Sequence, residues 1–579
     1  MLDLVIKDGL VIDGTGIERR EADVGVRDGR IVAIGNVTES ARETIAADGR
    51  VVSPGFIDVH THYDAQVFWD HSLSPSSYHG VTTVVAGNCG FSIAPLSGKK
   101  VDSEYLLHML ARVEGMPVES LEQGVPWDWT SFGDYLSRLD GKLGLNAAFM
   151  VGHSALRRTV MGARATGEKA TEADIAAMQQ LLRASLREGG LGFSSTISPT
   201  HNDAEGRPVP SRYATDEELI ALATVVGEFP GTTLEFLPAV TQFGAEQMER
   251  MTRLSVAAQR PLNWNLIVPN AANPDLLKLQ LGAGDHAAKH GGRVVGLAIA
   301  GPITTRLNLT TVFVLDALPG WDGIARLSLD ERMKALRDPA VRERLDRMAN
   351  SEAAGVFRGL ARWETYTIVE VFEPSNKPLE GLTVAKIAEI QGKKPFDALL
   401  DLCLSENLKT SFAPPAFGGD DATYRLRAET WQDWRTVIGG SDAGAHLDMI
   451  DTFAFSSQVL GPAVRERQLL SLEKAVHLLT QAPAELIGFT DRGTIKVGNW
   501  ADIVVFDPDR IGCGPLHTKF DLPGGAGRLY ADAVGVGHVI VNGKEVVRDN
   551  RLTGVESGRV LRSGRDTYTV SLTGNQTRH

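Results

Sequence analysis

Over the first 53 residues, apolar and polar positions alternate in short runs, DLVIKDGLVID, ADVGVRDGRIVAIG and ETIAADGRVVSPG. Alternation of period two, interrupted by Asp-Gly at Asp8, Asp28 and Asp48, predicts short strands joined by tight turns. The far end has the same texture, in GTIKVGNWADIVVFDP and VGHVIVNGKEVV, after a helix-like SLEKAVHLLTQAPAELIG. Strand-rich ends around a different middle predict one small β-sandwich domain formed from both chain termini, residues 1–53 and 487–579. In the middle, residues 54–486, helical and strand patterns take turns. TEADIAAMQQLLRASLREGG, opening at Thr171, reads as a helix stopped by two glycines, and LGFSS follows as a strand. Thr215 with Glu218 three residues on reads as a capping box for EELIALATVVGEF; Pro230-Gly231 ends that helix and TTLEFL continues as a strand. AEQMERMTRLSVAAQ then precedes Pro261 and the strand-like LNWNLIV. Repetition of this unit predicts an α/β fold with parallel strands and crossover helices, closed into a (β/α)8 TIM-type barrel. Less regular stretches at about 91–140, 270–290, 316–350 and 408–430 are expected as loops or lids.

Composition changes this picture in a few places. With 43% hydrophobic and 23% charged residues in 579, the chain has the make-up of a globular protein with a large core. Length alone would suggest three or four domains, but one barrel absorbs roughly 250 to 400 residues. A net charge of −13 without a basic run argues against nucleic acid and acidic membranes as partners. Three cysteines, Cys89, Cys403 and Cys513, are widely spaced and odd in number, which suits a reducing compartment better than a disulfide framework. Asp3 stands where a secretory signal carries positive charge, and no apolar run is long enough to span a bilayer, so the cytoplasm is the expected location.

The chemistry starts at Ser53, in SPGFIDVHTHYD. His60 and His62 are two apart, so on a strand both face the same way, and a strand end in such a barrel opens toward the active site. With 14 histidines in the chain, His-x-His is a weak signal on its own. The whole string is more specific: it resembles the metal-binding strand of the amidohydrolase superfamily. HGVTTVVAGNCGFSIAP at 79–95 is similar to the matching part of the D-aminoacylase and N-acyl-D-amino-acid deacylase group, where the Cys of GNCG is a metal ligand; here it is Cys89. A thiolate suits zinc, although a free cysteine is also a common small core residue. IGGSDAGAH at 438–446 places Asp442 where the superfamily keeps its last-strand aspartate, which contacts metal and takes the proton from attacking water. The alternative for Asp442 is an Asp-Ala-Gly turn. The general resemblance runs from DGLVIDGTG through GTIKVGNWADIVVFDP.

One departure matters. Two-metal members carry single histidines on the fifth and sixth barrel strands, whereas TTLEFLP and LNWNLIV offer Glu235, Asn263 and Asn265. The expected cofactor is therefore one zinc per chain, held by His60, His62, Cys89 and Asp442. Glu235 either replaces a lost ligand, carries a proton, or hydrogen-bonds within the barrel. For substrate, GHSALR offers His153 and Arg157, and PTHNDAEGRPVPSRYA offers His201, Arg212 and Tyr213, with Asn265 a further candidate. Arg212 with Tyr213 would suit the carboxylate of an N-acyl amino acid. His286 and His290, at helical i, i+4 spacing, read as a solvated helix face. The resemblance implies metal-assisted hydrolysis of a C–N amide bond in an N-acyl (D-)amino acid, with Asp442 as base and then acid. Opening of a cyclic amide, imide or lactone, and a catalytically reduced barrel acting as a binding scaffold, stay open beside it, as does a homo-oligomer.

Overall fold

The computed structural model describes residues 1–239 and 243–573; the last positions of the expected segment 487–579 lie outside the described residues. Both termini build one sheet of nine strands. Leu2–Val11, Arg20–Arg27, Arg30–Gly35, Ala41–Ala46 and Val51–Pro54 come from the start, and Ile503–Phe506, Val536–Val541, Lys544–Arg548 and Arg551–Leu552 from the end. The seam is the antiparallel pairing of Val51–Pro54 with Ile503–Phe506. Alternate residues, among them Ile6, Val24, Val26, Val52, Ile503 and Ile540, fill the core on one face. Asp28 and Gly29 both take positive φ and turn the hairpin between the second and third strands, as expected. Asp8 does not turn the chain. Leu2–Val11 runs through it, with a register shift between Ile6 and Gly9. The reason is a change of partner: residues 2–7 pair with Ala41–Ala46, whereas Leu10 and Val11 pair with Val51 and Val52, and the bulge absorbs the switch.

The barrel strands are β1 (Phe56–Asp58), β2 (Val81–Ala86), β3 (Asn146–Phe149, resumed at Val151–Gly152), β4 (Gly192–Thr196), β5 (Thr233–Leu237), β6 (Leu262–Ile267), β7 (Val294–Ala298) and β8 (Thr436–Ile438). Every neighbouring pair is parallel, and a parallel bridge between Thr61 and Ala443 closes β8 onto β1. Such strands, buried on both faces, are near-continuous apolar runs, as VTTVVA and VVGLA are. One seam is completed by the far end of the chain: Val560–Leu561 pairs with Ala147 and Ala148 on the edge of β3, while Val151 and Gly152 pair with β4.

The crossover helices include α1 (Lys100–Val113), α2 (Phe132–Leu139), α3 (His153–Met161), α4 (Glu172–Arg187), α5 (Asp216–Gly227), α6 (Ala245–Ala258), α7 (Pro274–Lys289), α8 (Asp421–Trp431), α9 (Leu472–Leu479) and α10 (Gln481–Ile487). Helix α4 opens with a full capping box between Thr171 and Asp174. Helix α5 does not. Thr215 accepts from the Glu218 N–H, but the Glu218 carboxylate turns inward to His153 and Arg157, because a buried guanidinium together with a buried imidazole outweighs one amide. The expected irregular stretches are largely helical: 91–140 holds α1 and α2, and 270–290 holds α7. Between β7 and β8 an insertion has its own core around Leu315, Trp321, Leu336, Leu345, Trp363 and Phe412. It carries helices Leu329–Arg337 and Pro339–Ala349.

Candidate metal centre

His60 and His62 follow β1 directly. Thr61 between them points away, its N–H and hydroxyl both donating to Val85 O, so the two imidazoles share the inner side with ring centroids 5.3 Å apart. Cys89 sits in the tight turn after β2 with φ +54°. That turn needs glycine at 87, whose φ is +79° and where a Cβ would lie 2.5 Å from Met150 O. The turn is pinned from several sides: Gly87 N–H donates to Asp64, Asn88 to Thr61 O and Val85 O, Gly90 N–H to Ser194, and Cys89 N–H to Glu235 Oε2 at 2.7 Å. Asp442 lies four residues beyond β8, with φ +49°, and Gly444 packs so closely on the His62 backbone that a Cβ would come within 2.8 Å.

These elements converge. One donor atom from each of His60, His62 and Cys89 lies within 4.8 Å of the others. His60 Nε2 is 3.6 Å from Cys89 Sγ and 3.3 Å from Asp442 Oδ1, and His62 Nε2 is 3.7 Å from the same oxygen. A tetrahedral zinc with ligands at about 2.0–2.3 Å requires edges of about 3.3 to 3.8 Å. His60, His62 and Cys89 are thus grouped closely enough for one cation, with the Asp442 carboxylate beside the two imidazoles. Asn265 Nδ2 also approaches, at 3.2 Å from His60 Nε2 and 3.8 Å from Cys89 Sγ, while Asn263 donates to Leu234 O, outside this cluster.

The electrostatics point the same way. Burial pushes the Glu235 carboxyl up to about 8 and Glu114 to about 7. Burial, then the carboxylates of Glu235, Glu114 and Asp442, hold the Cys89 thiol well above its ordinary range. Burial lowers His60 to about 3. His62 is raised to about 9: burial opposes its charge, but Glu114 and Asp442 more than compensate. For Asp442 burial also works against the charge, yet the two imidazoles bring it down to about 2. A thiol and carboxyls so crowded resist ionising together, and a cation among them favours the ionised form of each. The residues present fit a divalent metal.

Each imidazole that offers Nε2 to this centre turns Nδ1 toward a buried carboxylate. Glu114 Oε1 is 3.3 Å from His62 Nδ1, and Glu235 Oε1 is 4.0 Å from His60 Nδ1. The sequence reading missed Glu114, which caps the end of α1 in a stretch without motif. It also missed His446, the last letter of IGGSDAGAH, whose buried Nδ1 lacks a protein partner among the described residues and whose ring stacks on Phe313 at 5.0 Å.

The expected substrate groups separate. His153 is fully buried, its ring nitrogens bonded to Ser195 Oγ (2.8 Å) and Glu218 Oε1 (2.9 Å), and Arg157 spends its guanidinium on Glu218 and Glu168 O. Neither is left to meet a ligand, which corrects the placing of His153 among substrate contacts. His201 is half-buried with its ring against Phe91, and its buried Nδ1 has no protein partner among the described residues. Arg212 donates to His201 O and Asn202 Oδ1 and has no carboxylate partner among the described residues; Tyr213 adjoins it half-buried. His286 and His290 stand on α7, bonded to Thr252 and to the helix backbone.

Comparison with known proteins decides the family. The model of the amidohydrolase family matches residues 43–547, and that of the urease alpha-subunit N-terminal domain matches 1–54. The chain belongs to the amidohydrolase family. An uncharacterized protein of Mycobacterium tuberculosis is 31% identical, covering 97% of this chain and 96% of its own. The D-aminoacylase of Alcaligenes xylosoxydans xylosoxydans is 28% identical over 96% and 97%. Among solved structures, a D-aminoacylase superposes with a TM-score of 0.64 at 27% identity over 97% of this chain and 100% of that one. An N-acyl-D-glutamate deacylase of Bordetella bronchiseptica, complexed with zinc and a phosphonate mimic of the tetrahedral intermediate, gives 0.63 at 26% over the same shares. This amidohydrolase is therefore a metal-assisted hydrolase of carbon–nitrogen bonds, and the scaffold reading falls. No helix among the described residues is long and apolar enough to cross a membrane.

Proposed function

We propose that this amidohydrolase cleaves the amide of an N-acyl amino acid, using one zinc ion held by His60, His62, Cys89 and Asp442. The observation that carries the reading is the 3.3–3.7 Å spacing of those donors, together with the absence of histidine from β5 and β6, where Glu235 and Asn265 stand. One relative's structure is described as showing one-metal activation and second-metal attenuation in D-aminoacylase, which supports a single working ion here. A bound zinc would supply Lewis acidity, lowering the pKa of water and drawing electron density from the amide carbonyl.

The protein's own groups do the rest. The Asp442 side chain is 22% exposed where the two histidines are 0% and 4%, so its carboxylate is the one reachable by solvent and substrate. Asp442 accepts the proton of the attacking water and returns it to the departing nitrogen. Arg212, with Tyr213 beside it, binds the substrate carboxylate through guanidinium nitrogens that no protein carboxylate claims, and His201 and Asn265 supply polar contacts nearer the centre. Glu235 keeps the Cys89 turn in place through the Cys89 N–H and faces His60. A reducing compartment such as the cytoplasm suits a site that needs a free thiolate. The test is hydrolysis of N-acyl D- and L-amino acids against hydantoin and lactone rings by zinc-loaded protein of measured metal content. Ring opening without linear amide cleavage, or full activity without metal, overturns the proposal.

A further inference from the structure

Beside the metal centre lies a cleft of about 790 Å³ between α1, the β7–β8 insertion and residues 518–527. His446 backs the cleft through two residues that line it, Gly115 and Phe313. Its backbone N–H donates to Glu114 O, a Cβ on Gly115 would sit 3.4 Å from its Cα, and its ring stacks on Phe313, which lines the cleft. Asp442 stands four residues before it, and the side chain of its partner Glu114 lies 3.3 Å from His62 Nδ1. The lining mixes apolar side chains, among them Met116, Phe313, Leu327, Leu329, Phe372 and Phe520, with polar and charged ones. Leu329 and Phe520 are 43% and 48% exposed there, which leaves large apolar surface facing the opening. The nearby charges are mostly spoken for: Arg112 pairs with Asp316, and Arg332 donates to backbone carbonyls of the insertion.

At the roughly 30 Å³ that a water molecule occupies in the liquid, the cleft has room for about 26 such units, and an acetyl group fills only two or three. The proposed carboxylate contacts, Arg212 and Tyr213, do not line the cleft, although Ala204 and Gly206 of the same β4 loop do. A substrate anchored by its carboxylate at Arg212 and by its amide at the metal centre has its acyl group left for the cleft. We infer that this cleft is an acyl-chain site, and that the enzyme's substrates carry a long aliphatic acyl group rather than acetyl. The inference rests on the proposed deacylation, but the cleft is testable without it.

Two measurements on zinc-loaded full-length protein separate the two ideas. Calorimetric titration with dodecanoate and with acetate tests the cleft alone. Each buried methylene contributes about fourfold, so even partial burial of the chain makes dodecanoate bind at least tenfold more tightly. Leu329→Trp, at an exposed position on the wall, and Ala526→Trp, both of which narrow the cleft, are expected to remove most of that difference and to leave N-acetyl amino acid turnover unchanged. Hydrolysis of N-acetyl, N-hexanoyl and N-dodecanoyl forms of one amino acid is expected to rise at least tenfold in kcat/KM along the series. Equal binding of the two acids, or a preference that follows the amino-acid side chain and not the acyl length, overturns the acyl site. Tight dodecanoate binding that both tryptophans weaken, with no amide cleaved, upholds the site and overturns the deacylase reading.

Discussion

Replacing Glu114 by Gln isolates what a carboxylate behind a metal-facing imidazole contributes. The change keeps size and removes one charge 3.3 Å from His62 Nδ1, in a place where the two side chains are only 3% and 4% exposed. Two bare unit charges at that distance interact by about 5 kcal/mol at an effective dielectric of about 20, which sets a ceiling. A neutral imidazole that presents Nε2 to a cation carries only part of a charge on its Nδ1–H, so the real loss is smaller. Such partners are typically worth 10- to 100-fold in metal affinity, or roughly 1.4 to 2.7 kcal/mol. Glu114→Gln is therefore expected to weaken zinc by that factor in competition with a chromophoric chelator, and to shift the visible d–d bands of the cobalt-substituted protein. Glu119→Gln, an exposed change in the same stretch, serves as the control. Zinc affinity within twofold of the parent, with an unaltered cobalt spectrum, would refute the reasoning even if turnover fell.

Asp442→Asn is expected to lower turnover by about 10²- to 10⁴-fold, in keeping with loss of a general base, without moving the thermal midpoint of metal-free protein by more than a degree or two. Wild-type-like rates would remove Asp442 from the chemistry. Glu218→Gln leaves the buried Arg157 with a weakened partner and is expected to cost about 3 to 5 kcal/mol in urea unfolding; a loss below 1 kcal/mol would show the His153–Glu218–Arg157 cluster to be dispensable. At the start of α4, Arg164 and the cap hold the Asp174 carboxyl down near 2. Its contribution is complete above the ordinary aspartate value of 3.8 and is lost as pH falls through about 2, so Asp174→Asn should flatten the stability profile in that window and no higher. An unchanged acid limb in the variant counts against the assignment. Zinc is expected to raise the unfolding temperature in a concentration-dependent way, and His60→Ala to abolish that rise.

What could be read in the sequence was what is local. His60, His62, Cys89 and Asp442 each sit in a short string at a strand end, and neighbours in the string set their direction: Thr61 turns out so that the histidines turn in, and Gly87 permits the Cys89 turn. LGFSS, TTLEFL and LNWNLIV were legible as strands because a strand buried on both faces is an apolar run between helices. Glu114 was invisible because only the path of α1 across the barrel mouth brings it to His62. Glu218 misled for a different reason: Thr215 and Glu218 have capping spacing, but His153 and Arg157, more than 60 residues earlier, compete for the same carboxylate. Asp8 was a similar case, since Asp-Gly suits a bulge as well as a turn and only the partner strands decide between them. The helices of the β7–β8 insertion are built around a core of their own, so no regular strand spacing announces them.

The pairing of Val560–Leu561 with β3 has a bearing on how the molecule comes into being. A ribosome releases the chain from the front, and all eight barrel strands, the last ending at Ile438, are in hand long before those two residues emerge. Until they do, the lower edge of β3 keeps open N–H and C=O groups beside β4, the kind of edge that recruits stray strands from other chains. Closure of that seam thus waits until Val560 and Leu561 have emerged, and a chain ending at Arg559 would carry every metal-facing side chain beside an open edge of β3.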